Sequence, residues 1–343
     1  MALGGIVSRN FSHLRFGEFS KAATTGAIAG ALAFQPFVAN AALGSQHIAV
    51  GNGHWFVNTN IAFNTTSSNW GFSEGSLVTA SGIRRDAFDG ALSWLVSTGT
   101  PTRADGYRSP GGVVDLTATT VTGTTQVMAG LNVSGQMYFS SARAVARSIL
   151  ILQNPTASPI TVNVENATNR GSDANTTHHM TSSGDATVDA ADNWLVSSQG
   201  AVPLTTVDPI LTFAFSQDGA AVHGTFSPMP ANGSDKIDKF YTVTVPAGQT
   251  RRLMAFVQMS GTVAGSEADA TLFNTNASLR GTDYLSGLSV IDMSEIVNWN
   301  LQPVNSAVPT LNQWAVGGLA SLLGLFGLVR LGFSGQGRRN SVT

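Results

Sequence analysis

The chain contains no cysteine among its 343 residues. Disulfides, thiol catalysis, iron–sulfur clusters and cysteine-based zinc sites are therefore all excluded. Charged residues are also scarce, at 11% of the chain against about 25% in an average soluble domain. Serine, threonine, asparagine and glycine take their place, which is a composition typical of exported bacterial β-proteins.

The basic residues are unevenly distributed, and the central part of the chain is acidic. Residues 42–306 hold 12 Lys/Arg and 19 Asp/Glu, a formal charge of −7, while the other six basic residues lie outside this region. Proteins that bind nucleic acid need a positive surface to engage phosphates. We therefore expect no nucleic-acid partner.

Short apolar or alternating runs recur along this region. They occupy residues 54–57, 91–96, 145–152, 160–164, 194–196, 211–215, 240–245 and 252–259. Runs of four to eight β-branched and aromatic residues, separated by Gly, Pro, Asn and Ser, are typical of strands. Because no helices intervene, they predict a mainly β fold. We expect one large antiparallel β-sandwich (supersandwich-like) over residues 42–301.

The strand pattern fades between residues 266 and 299. Ser266 can cap a helix that continues through Leu279, and Ser294 offers a second helix cap. Apolar residues then recur at roughly helical spacing up to Trp299. We predict two short helices that pack against one end or face of the sandwich.

The N-terminal segment has the layout of a secretory signal peptide. Basic residues at positions 9, 15 and 21 precede a small and apolar run over residues 22–38. An Ala-Asn-Ala pattern then ends at Ala41, which is the form of a cleavage site. We predict a signal peptide over residues 1–41 with an N-terminal signal helix, cleaved after Ala41 following passage through Sec-type export machinery.

The C-terminal segment has the layout of a membrane anchor. Residues 315–333 contain one charged residue, Arg330, near the end of the run. Nineteen residues reach about 28 Å as a helix, close to the ~30 Å of a bilayer core. Arg330, Arg338 and Arg339 mark the cytoplasmic side, since no acidic residue follows Glu295. We predict a transmembrane helix over 315–333 and a cytoplasmic basic tail over 334–343.

A short motif precedes this span, inside a polar linker over residues 302–314. Its residues are Val308, Pro309, Thr310, Leu311 and Trp314. The tail resembles the IPTL-CTERM sorting signal of Gram-negative bacteria, which has Ile-Pro-Thr-Leu, two variable residues and Trp-Gly before a hydrophobic helix and a basic end. Val308 replaces isoleucine, and Ala315 stands where the family has glycine. The resemblance implies recognition, and cleavage near Pro309, by an exosortase-type membrane enzyme.

Parts of the body also resemble β-sandwich modules of large exported bacterial proteins. Residues 147–162, 182–187 and 245–254 carry this resemblance. Asn-Pro-Thr-Ala-Ser-Pro within the first segment predicts a hairpin turn, and Val-Pro-Ala-Gly-Gln-Thr within the third predicts a β-turn that leads into a core strand. These patterns indicate a scaffold and carry no defined chemistry.

The body offers few residues for catalysis or metal binding. His178 and His179 lie in an Asp-rich segment, but adjacent residues of a strand point to opposite faces, so the two cannot ligate one ion from a regular strand. No HExxH-type spacing is present. We predict no metal site, no cofactor and no catalytic residues, and hence a protein that is not an enzyme.

A carbohydrate-directed role is the alternative that the sequence leaves open. Glycoside hydrolysis needs two carboxylates beside a cleft, and Asp86 and Asp89 are candidates for such a groove. The glutamates of the body are few: Glu74, Glu165, Glu267 and Glu295. Trp55, Trp70 and Trp94 are candidates for stacking on sugar rings, although tryptophans of a sandwich also serve as core.

Two functional hypotheses follow from the sequence. The first is an exported structural or adhesive protein, held in the inner membrane by its tail, facing the periplasm, and sorted to the cell surface or matrix by an exosortase-type enzyme. The second is a carbohydrate-binding module or glycan-active enzyme at the cell surface, whose glycan ligand the sequence does not identify.

Overall fold

The computed structural model describes residues 45–58, 70–110, 112–172, 175–201, 208–301, 318 and 320–323. The predicted signal peptide, the sorting motif and the basic tail lie outside these residues. Of the predicted membrane span, the described residues are helical, and Leu322 and Leu323 are 58% and 64% exposed. Within the described ranges, no helix combines the length and the apolar character needed to cross a bilayer.

The described residues form seventeen strands. In chain order they are β1 (Ser45–Val50), β2 (Gly53–Asn58), β3 (Gly71–Thr79), β4 (Gly82–Arg84), β5 (Gly90–Ser97), β6 (Val113–Leu116), β7 (Thr120–Gly123), β8 (Gln126–Met128), β9 (Leu131–Phe139), β10 (Val145–Gln153), β11 (Ile160–Asn169), β12 (Thr176–Thr181), β13 (Trp194–Gln199), β14 (Ile210–Ala214), β15 (Thr225–Phe226), β16 (Lys236–Val245) and β17 (Thr250–Ser260).

These strands pair into two antiparallel sheets. The eight-stranded sheet has the order β1-β2-β3-β5-β11-β16-β15, with β4 beside β3. The nine-stranded sheet has the order β12-β13-β14-β17-β10-β9-β7-β6, with β8 beside β9. The prediction of a mainly β, antiparallel, sandwich-like fold is confirmed at this level.

One apolar core lies between the two sheets. Along β2 and most of β11, buried residues alternate with less buried ones, as expected of strands with one face in a core. The eight-stranded sheet contributes Trp55, Trp94 and Val164, and the nine-stranded sheet contributes Leu150 and Val257. The outer face of the eight-stranded sheet is therefore its more polar face.

The nine-stranded sheet is buried on its other face as well. The segment after β17 covers it, and it contains α1 (Val263–Ala270), a 3-10 turn (Thr271–Phe273), α2 (Asn276–Arg280) and α3 (Val290–Glu295). Phe256 of β17 lies at the centre, with the rings of Phe273 and Trp299 each 5.1 Å from its own. This second core explains why β10, β14 and β17 are almost continuously buried rather than alternating.

The helical segment lies where the sequence predicts it, but its helices begin at other residues. Thr262, rather than Ser266, caps α1, because its hydroxyl accepts a hydrogen bond from the Gly265 amide. Ser289 caps α3, whereas Ser294 lies inside that helix. The segment between β17 and Leu301 contains three short α-helices instead of two, because Thr275 caps a separate helix, α2, within the stretch predicted to be one helix.

Candidate functional site

The tryptophans considered for sugar stacking are buried in the core. Trp55, Trp70 and Trp94 are 0%, 1% and 0% exposed. The indole of Trp94 donates a hydrogen bond of 2.9 Å to the hydroxyl of Ser148, which joins the two sheets. Stacking requires an exposed ring face, so a sugar ring has no access to any of the three in this structure. Their role here is packing.

The adjacent histidines have separate environments. His178 is 5% exposed and lies 2.8 Å from Nη1 of Arg170, while His179 bonds the hydroxyl of Ser198. Burial, and then the Arg170 charge, lowers the pKa of His178 to about 4. In the described part of the chain, no group of three or more His, Asp or Glu is arranged to hold a metal ion.

A pair of carboxylates lies on the outer face of the eight-stranded sheet. Glu165 of β11 and Asp238 of β16 point away from the core, because their neighbours Val164 and Ile237 are each 0% exposed and lie within it. In the register of these strands Glu165 is opposite Phe240, two residues from Asp238. Such diagonal neighbours are about 7–8 Å apart, so the two side chains share one surface.

The ionisation of this pair is perturbed. Burial, and then the charge of Asp238, raises the pKa of Glu165 to about 7, against an opposing effect from Arg103. Burial also raises the pKa of Asp238, while Arg103 and Lys236 oppose that change. Neighbouring carboxylates with perturbed pKa values are typical of sites that carry out acid–base chemistry. We define Glu165, Asp238 and Arg103 as the sheet-face site.

The sequence offered only half of this site. Glu165 is among the few glutamates, and the Val-x-Val alternation around it indicates that it points outward. Asp238 is 73 residues further along the chain, and Arg103 lies on the 3-10 turn Arg103–Asp105 that follows β5. Only the pairing of β11 with β16 and β5 brings these residues together.

Asp86, proposed as part of a carboxylate groove, lies in another place. It has a positive φ of 63° and lines a small pocket with Asp208 and Arg170. Burial, and then the Asp86 charge, raises the pKa of Asp208 to about 6. The pocket volume is only about 10 Å³, which is space for a water at most. This arrangement joins the sheet edges rather than holding a ligand.

Known structures resemble the β-rich body. They include Slr1438 from Synechocystis sp. PCC 6803 (TM-score 0.39, 10% identity, 66% of this chain and 100% of that chain). A galactose mutarotase-like protein from Lactobacillus casei has a TM-score of 0.38 and 12% identity, and the match covers 63% of this chain and 100% of that chain. A galactose mutarotase related enzyme from Lactobacillus acidophilus has a TM-score of 0.29 and 7% identity, and the match covers 64% of this chain and 98% of that chain. No curated protein sequence matches the chain.

These neighbours correct one prediction. The expectation that the protein is not an enzyme is corrected at the level of the fold, because the structural neighbours include mutarotase-type proteins and one that is named an enzyme. With TM-scores of 0.29–0.39 and identities of 7–12%, the likeness concerns the fold and transfers no reaction to this chain. Any activity has to be argued from the residues themselves.

The tail gives the specific match. A model described as the IPTL-CTERM motif matches residues 306–339. This range contains the predicted motif (Val308, Pro309, Thr310, Leu311 and Trp314), the apolar span and the arginines that follow it, Arg330, Arg338 and Arg339. The match begins shortly after Leu301, the last described residue of the body, which is 1% exposed. The C-terminal tail of this protein thus carries the IPTL-CTERM motif.

Proposed function

We propose that the protein is exported and then sorted through its C-terminal tail, which delivers the β-sandwich body to the outside of the cell. The observation that carries this proposal is the IPTL-CTERM match over residues 306–339. The signal peptide over 1–41 leads the chain into the Sec-type route. The span over 315–333 then holds it in the inner membrane with the body facing the periplasm. An exosortase-type enzyme recognises the motif and cleaves near Pro309.

The body then has a structural or adhesive role at the surface or in the matrix. Its outer surface is rich in uncharged polar residues, as in β11 and β16, where Thr161, Thr242 and Thr244 are exposed. The absence of cysteine means that its stability outside the cell depends on the two apolar cores rather than on disulfides.

The sorting proposal predicts the termini of the mature protein. In a Gram-negative host that has an exosortase, mass spectrometry of the product is expected to find an N-terminus at Ala42 and a C-terminus close to Pro309. The double variant Pro309→Ala, Thr310→Ala is expected to keep Thr343 and to stay in the membrane fraction, because the motif is what the enzyme recognises.

Pro303→Ala provides the matched control, since this linker proline precedes the matched range. It is expected to be processed like the unaltered protein. Recovery of a soluble cytosolic protein with Met1 and Thr343 both intact would contradict the proposal. Normal processing of the double variant would show that these motif residues are not the recognition site.

The sheet-face site supports a second candidate function, which is action on or binding of carbohydrate. A half-buried glutamate next to a second carboxylate is costly to keep charged, and groups with such perturbed pKa values cluster at functional sites. Phe240, opposite Glu165 in the register, adds an aromatic side chain to the same face. Carboxylates beside an aromatic ring suit the hydroxyls and the apolar face of a sugar.

Glu165→Gln tests this candidate through both stability and binding. Because folding raises the pKa of Glu165 to about 7, the native state holds its proton more tightly, and stability falls as the pH rises from ~4.5 to ~7. At pH 8 the variant is therefore expected to be more stable, by about 1–2 kcal/mol after allowance for solvent screening. At pH 4 the two proteins are expected to be equally stable.

The same variant is expected to lose binding to, or turnover of, glycans on an array. Glu267→Gln, on α1 over the other sheet, is the matched control and is expected to retain both. Both measurements use the full chain in lauryldimethylamine oxide, because this detergent has no sugar headgroup. Equal behaviour of the two variants, or no glycan recognition by the unaltered protein, would rule out the site.

A further inference from the structure

A polar pocket lies at the end of the nine-stranded sheet, where strand-connecting loops meet the helical segment. Its volume is about 260 Å³, far more than the ~10–15 Å³ that a single water needs. The residues that line it are Ser182, Asn193, Gln217, Asp218, Phe273 and Asn274. None of them belongs to the sheet-face site, so this pocket is a separate feature.

Asn193 fixes one wall of the pocket. Its side chain is 6% exposed, and its amide nitrogen donates a hydrogen bond of 2.7 Å to Oδ1 of Asp218. Its amide oxygen accepts a bond of 2.7 Å from the hydroxyl of Ser216 and lies 2.9 Å from Nε2 of His223. Asp218 is exposed but held through one oxygen. Its Oδ2 has no partner among the described residues and remains available as an acceptor.

Asn274 supplies a hydrogen-bond donor in the same pocket. The indole of Trp194 donates a hydrogen bond of 2.6 Å to Oδ1 of Asn274. An indole nitrogen only donates, so the amide of Asn274 is orientated with its oxygen toward Trp194. Its Nδ2 group has no partner in the described part of the chain and remains available as a donor.

The other lining groups are already committed to the protein. Gln217 donates to the carbonyl of Phe273 and accepts from the amide of Asn300, at 3.1 and 3.3 Å. The hydroxyl of Ser182 donates to Oδ1 of Asp192 at 3.0 Å. Phe273, which is 1% exposed, is held in the aromatic cluster around Phe256. The pocket therefore has walls held by internal contacts and two open polar groups, one acceptor and one donor.

We propose that this pocket binds a single sugar ring through a vicinal diol. One ring hydroxyl donates to Oδ2 of Asp218, and the oxygen of the neighbouring hydroxyl accepts from Nδ2 of Asn274. Small-molecule sites are usually preformed and use a few orientated polar groups to fix the ligand, and side chains already held by internal hydrogen bonds lose less entropy on binding. The volume suits one hexose rather than a chain of several.

Two variants remove the open groups while leaving the structural hydrogen bonds in place. Asp218→Asn keeps an oxygen for the amide of Asn193 but replaces Oδ2 by a donor. Asn274→Asp keeps an oxygen for the indole of Trp194 but removes the Nδ2 donor. Asp115→Asn is the matched control, because Asp115 is exposed on β6 and lines no part of the pocket.

Binding is measured by saturation-transfer difference NMR on the full chain in lauryldimethylamine oxide, with D-glucose, D-galactose, D-mannose and N-acetyl-D-glucosamine as probes. We expect millimolar binding of at least one sugar and a weakening of about tenfold or more in each pocket variant. Asp115→Asn is expected to bind normally. Thermal unfolding of each variant, with and without the sugar, shows separately that it is folded.

The proposal is overturned if no probe binds the unaltered protein, or if either folded pocket variant binds as well as the control. It deepens the second candidate function by naming a separate binding site. The two sites are distinguished by their own variants, with Asp115→Asn, which lies in neither site, as the common reference. Loss of glycan recognition through Glu165 alone therefore tests the sheet-face site, and loss through Asp218 and Asn274 tests the pocket.

Discussion

Trp94→Ala is expected to lower the free energy of unfolding by about 3–5 kcal/mol, the range for removing a buried tryptophan from a packed core. Trp94 is 0% exposed and lies 6.4 Å, ring to ring, from the buried Tyr241. Its loss leaves a cavity in the core between the sheets. It also leaves the hydroxyl of Ser148 without the indole hydrogen bond. Urea denaturation followed by circular dichroism measures the change.

Ser148→Ala separates the two contributions. It removes the hydrogen bond without creating a large cavity, so a loss of about 1 kcal/mol is expected. If Trp94→Ala remained fully stable and lost glycan binding instead, the packing role would be contradicted and the stacking hypothesis restored. The same comparison applies to Trp55 and Trp70, which are equally buried.

Asn298→Ala is expected to cause a loss of about 3–5 kcal/mol, although it removes only a small polar group. The side chain is 0% exposed and makes three hydrogen bonds within the protein. Its amide nitrogen donates to the carbonyls of Phe215 and Met254, each at 2.7 Å, and its oxygen accepts from the Met254 amide at 3.0 Å. Each buried backbone group left without its partner costs about 1–3 kcal/mol.

Asn300→Ala is the matched control, two residues along the same segment. Its side chain is exposed, and within the described part of the chain only its backbone amide bonds a neighbour, Gln217. A change within about 0.5 kcal/mol is expected, as is usual for surface substitutions. Hydrogen exchange offers a second measurement. The amide of Met254 is expected to exchange faster in Asn298→Ala than in Asn300→Ala, and equal protection would contradict the role assigned to Asn298.

The strands were predictable from the sequence because local chemistry determines them. Runs such as residues 91–96, 145–152 and 240–245 fall within β5, β10 and β16. The sequence did not predict that β10 is buried on both faces, because Arg147 and Ser148 interrupt its apolar run. What covers its second face was not predictable in detail. The covering residues Phe273, Tyr284 and Trp299 lie more than 100 positions further along the chain.

The candidate site was predictable only where one segment carries all of the information. The sorting motif lies within residues 308–314, so a single short segment identifies it. The sheet-face site combines Arg103, Glu165 and Asp238 from three separate segments. The pocket depends on Asp218 and Asn274 in the same way. Spacing along the chain says nothing about such groups, because strand pairing rather than sequence distance determines which side chains meet.

The closing segment also determines how the body responds to mechanical load. If the tail holds the protein in a membrane, any pull on it reaches the body first at Leu301 and Trp299. The indole of Trp299 donates a hydrogen bond of 2.7 Å to the carbonyl of Met254, and its ring packs on Phe256 in the middle of β17. A pull on the tail therefore has to draw Leu301 and Trp299 out of the second core before it loads the outer strands. The tail is thus attached where the body is held by both packing and a hydrogen bond.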